Sequence, residues 1–295
     1  MDNRSDVREF LTSRRARLTP EQAGLPSYGG NRRVPGLRRG EVAMLAGMSI
    51  EYYTRLERGS LRGVSEPVLD SLAAALHLDD AERAHLFDLA RAAGISQRPT
   101  RRSAQAKVRP SIQRILDSLT APAYARNARM DILAANQACF ALYTGILEPG
   151  TLPLNLARFL FLDPRAHEFF LDWNTVSDDT VAALRAEAGR NPLDRSLSDL
   201  VGELATRSDD FRTKWARHNV RHHRTAVKTL RNPIIGDIEL TGDAMEVPGD
   251  GITVITYTAQ PDSRATQQLA FLTSWSTAPI SASAQDGHSS AEPIN

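Results

Sequence analysis

Cysteine is almost absent from this chain. Cys139 stands alone among 295 residues, so no intramolecular disulfide framework can form. Lysine is nearly missing as well: only Lys107, Lys214 and Lys228 are found among 36 basic side chains, and arginine carries the positive charge. No apolar run approaches the roughly 18 residues of a membrane span, and the N-terminal MDNRSDVREFLTSRRARL has no apolar core of the signal-peptide kind. The chain is therefore expected to be soluble and cytoplasmic, with no membrane partner. Gly-x-Ser-x-Gly, phosphate-loop, dinucleotide and His-Glu-x-x-His motifs are all missing, so neither an enzyme nor a cofactor is expected. His222 and His223 are adjacent, which points them to different faces of a strand or helix, and no Cys or acid stands at ligand spacing, so no metal is expected. With 41% hydrophobic and 24% charged residues in 295, the remainder is an ordinary globular composition, long enough for about two domains.

The most informative segment is 37–59, LRRGEVAMLAGMSIEYYTRLERG. Ala43 lies four residues before Gly47; the small side chain admits a close second helix and the glycine admits a sharp turn between the two. Val42, Leu45 and Ala46 form the inner face of the first helix, and Tyr53 and Leu56 that of the second. Ser49 is placed to N-cap the second helix, and Gly59 to end it. The pattern predicts a DNA-binding helix-turn-helix. Charge agrees, because residues 1–63 hold twelve arginines against seven acids, an excess of five in a chain whose total is +1.

On Ala43, Gly47 and the closing Leu56-Glu57-Arg58-Gly59, the segment resembles the helix-turn-helix of the xenobiotic-response-element and phage-repressor class. The resemblance implies base-edge contacts from Ile50, Glu51 and Arg55, phosphate contacts from Ser49 and Tyr52, and DNA-backbone contacts from Arg38 and Arg39, with Arg58 in the same DNA-facing set. Arg55 can bind guanine O6 and N7 together, worth about 1–3 kcal/mol of discrimination. Glu51 has two open roles, accepting from cytosine N4 or orienting an arginine. Tyr53 stands where the class often has Ile or Val.

Around this hairpin the periodicity predicts helices at 5–17, 66–76 and 80–93, the last N-capped by Asp79 or Asp80, which makes a five-helix all-α domain over 1–94. Residues 95–107 are polar and basic and read as a solvated linker, with phosphate contact as the alternative. The second domain, 108–277, opens with a helix at 110–119 and strands at 123–126 and 130–134, followed by helices at 137–143, 154–162, 165–172, 178–190, 197–206 and 209–217. Period-two patterning then predicts strands at 224–231, 236–241, 245–247 and 253–259, with turns at Asn232-Pro233 and Gly242-Asp243, and a last helix at 263–275. Residues 278–295 read as a disordered tail. The fold class is thus an all-α head followed by a PAS-like α/β sensor with an antiparallel sheet.

The order LNLARFLFLDPRA, DWNTV, AEAGRNP, LVGELATRSDDFRTKWARHNV and NPIIGDIEL, preceded by LRR-x-EVA-x-LAG, resembles the MmyB-like transcription regulators over nearly the whole chain. Gly40 stands where that family usually has Glu, and Asn232 in its usual His-Pro pair. The resemblance implies a PAS-like sensor and a small hydrophobic ligand such as a long-chain fatty acid. Phe159 and Phe161 concentrate aromatics beside Arg158, and Arg158, Trp173, Trp215 and His218 are the candidate anchors for a polar head; the alternative is that the aromatics fill the core. The expected function is a sequence-specific, dimeric regulator of double-stranded DNA that senses such a molecule. The alternative is a constitutive DNA-binding protein whose C-terminal domain dimerises or docks a partner.

Overall fold

A computed structural model describes residues 3–25, 34, 36–94, 108–191, 194–217 and 225–277. The linker at 95–107, the tail at 278–295, His218, His222 and His223 lie outside them.

Five helices form the N-terminal domain: α1 (Asn3–Arg17), α2 (Arg39–Leu45), α3 (Ile50–Glu57), α4 (Glu66–Ala75) and α5 (Asp80–Gly94). Val7, Phe10 and Leu11 of α1 meet Val42, Tyr53, Leu56, Leu72 and Leu86 in one buried cluster. This is the inner face expected of each amphipathic helix. Asp79 caps α5, since its Oδ1 accepts the Glu82 N–H at 2.8 Å and its own N–H donates to Glu82 Oε2 at 3.2 Å.

The C-terminal domain is built on a six-stranded antiparallel sheet of order β3-β2-β1-β6-β5-β4, formed by β1 (Ala123–Asn127), β2 (Asp131–Ala135), β3 (Leu154–Asn155), β4 (Thr225–Asn232), β5 (Gly236–Val247) and β6 (Ile252–Thr258). Helix α6 (Pro110–Ser118) closes one sheet face, with Ile112 and Leu116 against Ala123, Ala125, Ala134 and Val254. The larger core lies on the other face, under α7 (Gln137–Leu142), α8 (Leu156–Leu162), α9 (Arg165–Phe169), α10 (Trp173–Arg190), α11 (Arg195–Arg207), α12 (Asp209–Ala216) and α13 (Arg264–Thr277).

Four elements differ from the sequence expectation. Leu154 and Asn155 pair with Ile132 and Asp131 as a short strand rather than opening a helix, and Asn155 then caps α8 by accepting the Arg158 N–H at 2.9 Å. The helix expected over 165–172 stops at Phe169, because Phe170 bridges to Leu230 of the sheet. Helix α10 begins at Trp173 rather than at 178; the Asn, Thr and Ser of its first turns are poor helix formers, but burial of Trp173, Val176 and Ser177 overrides propensity. No turn interrupts 236–247: Gly242 pairs with Tyr257 inside one continuous strand. A Cβ there would lie 3.1 Å from Tyr257 Cε1, so the glycine gives the tyrosine ring room rather than breaking the strand. The expected turn at Asn232 is present. Its buried side chain donates to the Ala141 and Leu142 carbonyls at 2.9 and 3.0 Å and accepts from the Ile234 and Ile235 N–H groups, tying the β4–β5 turn to the end of α7.

Candidate functional site

The α2–α3 hairpin closes through backbone bonds from Met48 to Ala43, at 2.9 Å, and from Gly47 to Met44, at 3.2 Å, with Gly47 at φ +64°. Ser49 Oγ accepts the Tyr52 N–H at 3.1 Å and starts α3. One side of α3 is buried through Tyr53, Leu56 and Glu57. The other faces outward: Ile50 is 52% exposed, and Glu51, Arg55 and Arg58 are exposed with it. The Arg55 guanidinium sits 4.9 Å from the Tyr52 ring centroid, so its long side chain is partly ordered on the outward face. Arg38 is exposed at the start of α2, where its N–H donates to Glu41 Oε2 at 2.6 Å. The structure therefore brings Arg38, Ser49, Ile50, Glu51, Tyr52, Arg55 and Arg58 to one hairpin.

Arg39 has a second attachment. Its Nε donates to Glu57 Oε2 while the side chain stays 49% exposed. Glu57 also accepts from Arg15 Nε at 2.6 Å and from the Tyr53 hydroxyl at 3.2 Å. Burial opposes the Glu57 charge, but the hydrogen bonds from Arg15 and Arg39 outweigh it and hold the carboxyl below its ordinary value. Burial and the neighbouring Glu57 push the Tyr53 hydroxyl up. Gly59, at φ +97°, fixes the end of α3 against α1; a Cβ there would lie 2.5 Å from the Arg4 carbonyl oxygen. Sequence reasoning passes over Glu57 as a buried acid, although its place four residues after the inward Tyr53 is the available signal.

In the second domain the predicted aromatics converge and pack on one another. Phe161 meets Trp173 and Phe211 edge-on at centroid distances of 5.9 and 5.1 Å, and Phe211 stacks on Trp215 at 5.5 Å. Phe159 is buried against Phe169 and Phe170. Trp173 Nε1 already donates to the Leu160 carbonyl at 2.9 Å. Arg158 is turned outward to Glu203, at 2.8 Å, and does not join them.

A cleft of about 1440 Å³ opens elsewhere, between α5, α10 and the sheet. Its walls are Ala81 and Ala84 of α5, Ala183 and Glu187 of α10, and Arg126 and Ala244 of the sheet; Arg158, Phe159, Phe161, Trp173 and Trp215 do not line it. The cleft is thus bounded by both domains. Beside it α5 packs directly on α10: Ala186 enters the N-terminal core, and a Cβ on Gly189 would lie 2.6 Å from His85 Cε1. Arg185 lies over the Trp215 ring at 4.1 Å and donates to the Trp215 carbonyl. Burial lowers its pKa to about 10, with Asp6 and Glu9 of α1 opposing that shift.

A braced, outward-facing recognition helix joined through α5 and α10 to a helix-covered antiparallel sheet defines the class of two-domain DNA-binding regulators. Residues 7–86 match a helix-turn-helix domain model, and residues 108–272, more than half of the chain, match the MmyB-like transcription regulator ligand binding domain. The chain belongs to the MmyB-like transcription regulators. A comparison with curated proteins finds no match to it. Among the described residues no helix is long and apolar enough to cross a membrane, and no group of three or more His, Cys, Asp or Glu could hold a metal ion.

Proposed function

We propose that this regulator reads operator DNA in the major groove through Ile50, Glu51 and Arg55, grips the backbone with Arg38, Arg39, Ser49, Tyr52 and Arg58, and changes affinity when its C-terminal domain takes up a small hydrophobic molecule, a fatty acid in particular. The observation that carries the reading is the shared junction of α5 and α10. A ligand can bias DNA binding only if it binds the competent and incompetent states unequally, and a junction common to both domains is where such a bias can pass from the sensor to the DNA-binding helices. A recognition helix of eight residues supports a homodimer on two half-sites about one helical turn apart. The strand order, with the first hairpin set beside the last strand, supports a PAS-like sensor. In this reading Phe159, Phe161, Trp173 and Trp215 are core through which the sensor holds its shape, and the protein acts in the cytoplasm without catalysis.

The test is native mass spectrometry of the purified chain before and after denaturation, followed by anisotropy titrations on a DNA site enriched from a random pool. A lipid-sized molecule released in stoichiometric amount, with DNA affinity changed by its removal, supports sensing. A DNA affinity indifferent to every bound small molecule would favour the constitutive, partner-docking alternative.

A further inference from the structure

Seven large apolar side chains are exposed among the described residues, and they are not spread evenly. Met44 and Ile50 belong to the DNA-facing hairpin, but Ile115, Val227 and Met245, exposed by 53%, 57% and 49%, lie on one side of the sheet. The strand register places two of them. Met245 on β5 pairs with Val254 on β6, which α6 buries, so Met245 is on the α6 side. Val227 on β4 pairs with Thr241, four residues before Met245 on β5, and so shares that side. The third is placed by α6 itself. Gln113 Nε2 donates to the Ala135 carbonyl of β2 at 3.3 Å, which turns that flank of the helix towards β2. Ile115 is two residues on, about 200° round the helix, and is therefore on the flank nearer β5.

Helix α6 covers β2, β1 and β6 and leaves β5 and β4 open on this face. Neighbouring strands are about 4.8 Å apart and a helix with its side chains is about 10 Å across, so the open pair has room for one further helix. Among the described residues no other helix lies there, since α7 to α13 cover the opposite face. Charge is complementary as well. Arg114 stands two residues from both Ile112 and Leu116, which are buried, and so points away from its own sheet. Glu239 pairs with Thr229 across β5 and β4 on the open side. Both are exposed, and neither has a hydrogen bond or ion pair among the described residues. One copy thus offers both a helix with an outward cation and an apolar trough, one helix wide, with an acid in it. Such self-complementarity is what an isologous interface requires. The DNA-binding domain meets the sensor through α10, on the opposite face of the sheet, so a partner on this side leaves the recognition helix open to DNA.

We propose that this face is the homodimer interface. A two-fold axis beside Ile115 lays α6 of each copy across β5 and β4 of the other, with Ile115, Val227 and Met245 as its apolar centre and Arg114 of one copy against Glu239 of the other. The two α6 helices then lie side by side between two sheets. The inference rests on the homodimer reading above and assigns the surface that forms it.

Sedimentation velocity of the full chain across the micromolar range tests it. Wild type should be a dimer. Val227→Asp and Met245→Asp, each a charge at an exposed position, should weaken it about tenfold or more while keeping the unfolding transition and the affinity for a single half-site. Phe271→Asp, at an equally exposed apolar position on α13, should remain dimeric. Arg114→Glu should weaken the dimer, and Glu239→Arg in the same chain should restore it. A dimer that survives Val227→Asp, Met245→Asp and Arg114→Glu, or that dissociates as readily in Phe271→Asp, overturns this surface and leaves the homodimer reading standing. A wild type that is monomeric at every concentration overturns the interface, and one that also occupies its operator as a single copy removes the homodimer reading with it.

Discussion

Arg15 on α1 and Glu57 at the end of α3 are joined Nε to Oε1 at 2.6 Å, with the Glu57 side chain only 1% exposed. This pair, extended by Arg39 and Tyr53, fixes the recognition helix to the helix that runs behind it. Removing one partner of a buried pair leaves the other charge unsatisfied, which costs about 3–5 kcal/mol. Glu57→Gln, which leaves Arg15 and Arg39 uncompensated, should therefore destabilise the N-terminal domain by about 3 kcal/mol in urea denaturation. Because the Glu57 pKa is depressed in the fold, its stabilisation is complete above the ordinary value of 4.5 and is lost as pH falls through the native value. Wild type should lose stability on acidification in that window, and Glu57→Gln should lose less. Parallel pH profiles for the two proteins would contradict the pairing.

Base reading and phosphate gripping separate into different variants. Arg55→Ala should relax preference at one base pair at a cost of about 1–3 kcal/mol on the preferred site, with little change on unrelated DNA. Arg38→Ala should weaken all sequences alike and reduce the salt slope by about one. Arg39→Ala should do the same and also lower the melting temperature, since it removes a Glu57 partner, a loss that Arg38→Ala does not share. Anisotropy titrations across salt concentrations, alongside thermal melts, distinguish the three. Operator binding by Arg55→Ala with wild-type selectivity would rule out its assignment to a base edge.

The DNA-binding hairpin is legible in the sequence because its signals are local: Gly47 for the turn, Ser49 for the cap and Gly59 for the stop lie within about a dozen residues of one another. The sheet is legible where side chains alternate, as in β1 and β6, and is misread at Gly242, where the reason for a glycine is a tyrosine on the neighbouring strand. The start of α10 depends on burial of Trp173 and Val176 by elements distant in sequence, so propensity alone places it too late. The cleft is the least legible feature because two domains contribute its walls.

Asn232 accounts for four hydrogen bonds at once, two donated to carbonyls at the end of α7 and two accepted from the β4–β5 turn. Asn232→Ala removes all four bonds; the Ala141 carbonyl keeps the Thr144 hydroxyl at 2.6 Å, but the buried Leu142 carbonyl and the half-buried Ile234 and Ile235 N–H groups lose this partner, and each group left unsatisfied costs about 1–3 kcal/mol unless water reaches it. The variant should lose at least about 2 kcal/mol of sensor stability in chemical denaturation. Asn232→Asp keeps the acceptor and loses the donor, so it should retain the turn but release α7. A neutral Asn232→Ala would mean that water replaces the side chain at a site that is 1% exposed.

Gly189 on α10 meets His85 on α5 so closely that a Cβ would lie 2.6 Å from the imidazole Cε1 and 2.7 Å from Nδ1. His85 is buried and packs edge-on against Phe10 of α1 at 5.0 Å, so the ring has little freedom to withdraw. Gly189→Ala must then move α5 away from α10 or push His85 into the N-terminal core, an overpacking cost of about 1–3 kcal/mol. A helix interior ordinarily gains from glycine-to-alanine exchange by about 1 kcal/mol, so the net sign reports whether the contact or the propensity dominates. We expect the contact to dominate, because each domain keeps its own core and the cheapest relief is to part the two. Calorimetry should show the single unfolding transition of wild type splitting into two in Gly189→Ala, with DNA affinity made less responsive to whatever ligand the sensor holds. A single transition at or above the wild-type temperature would mean that α5 and α10 are not coupled through this contact.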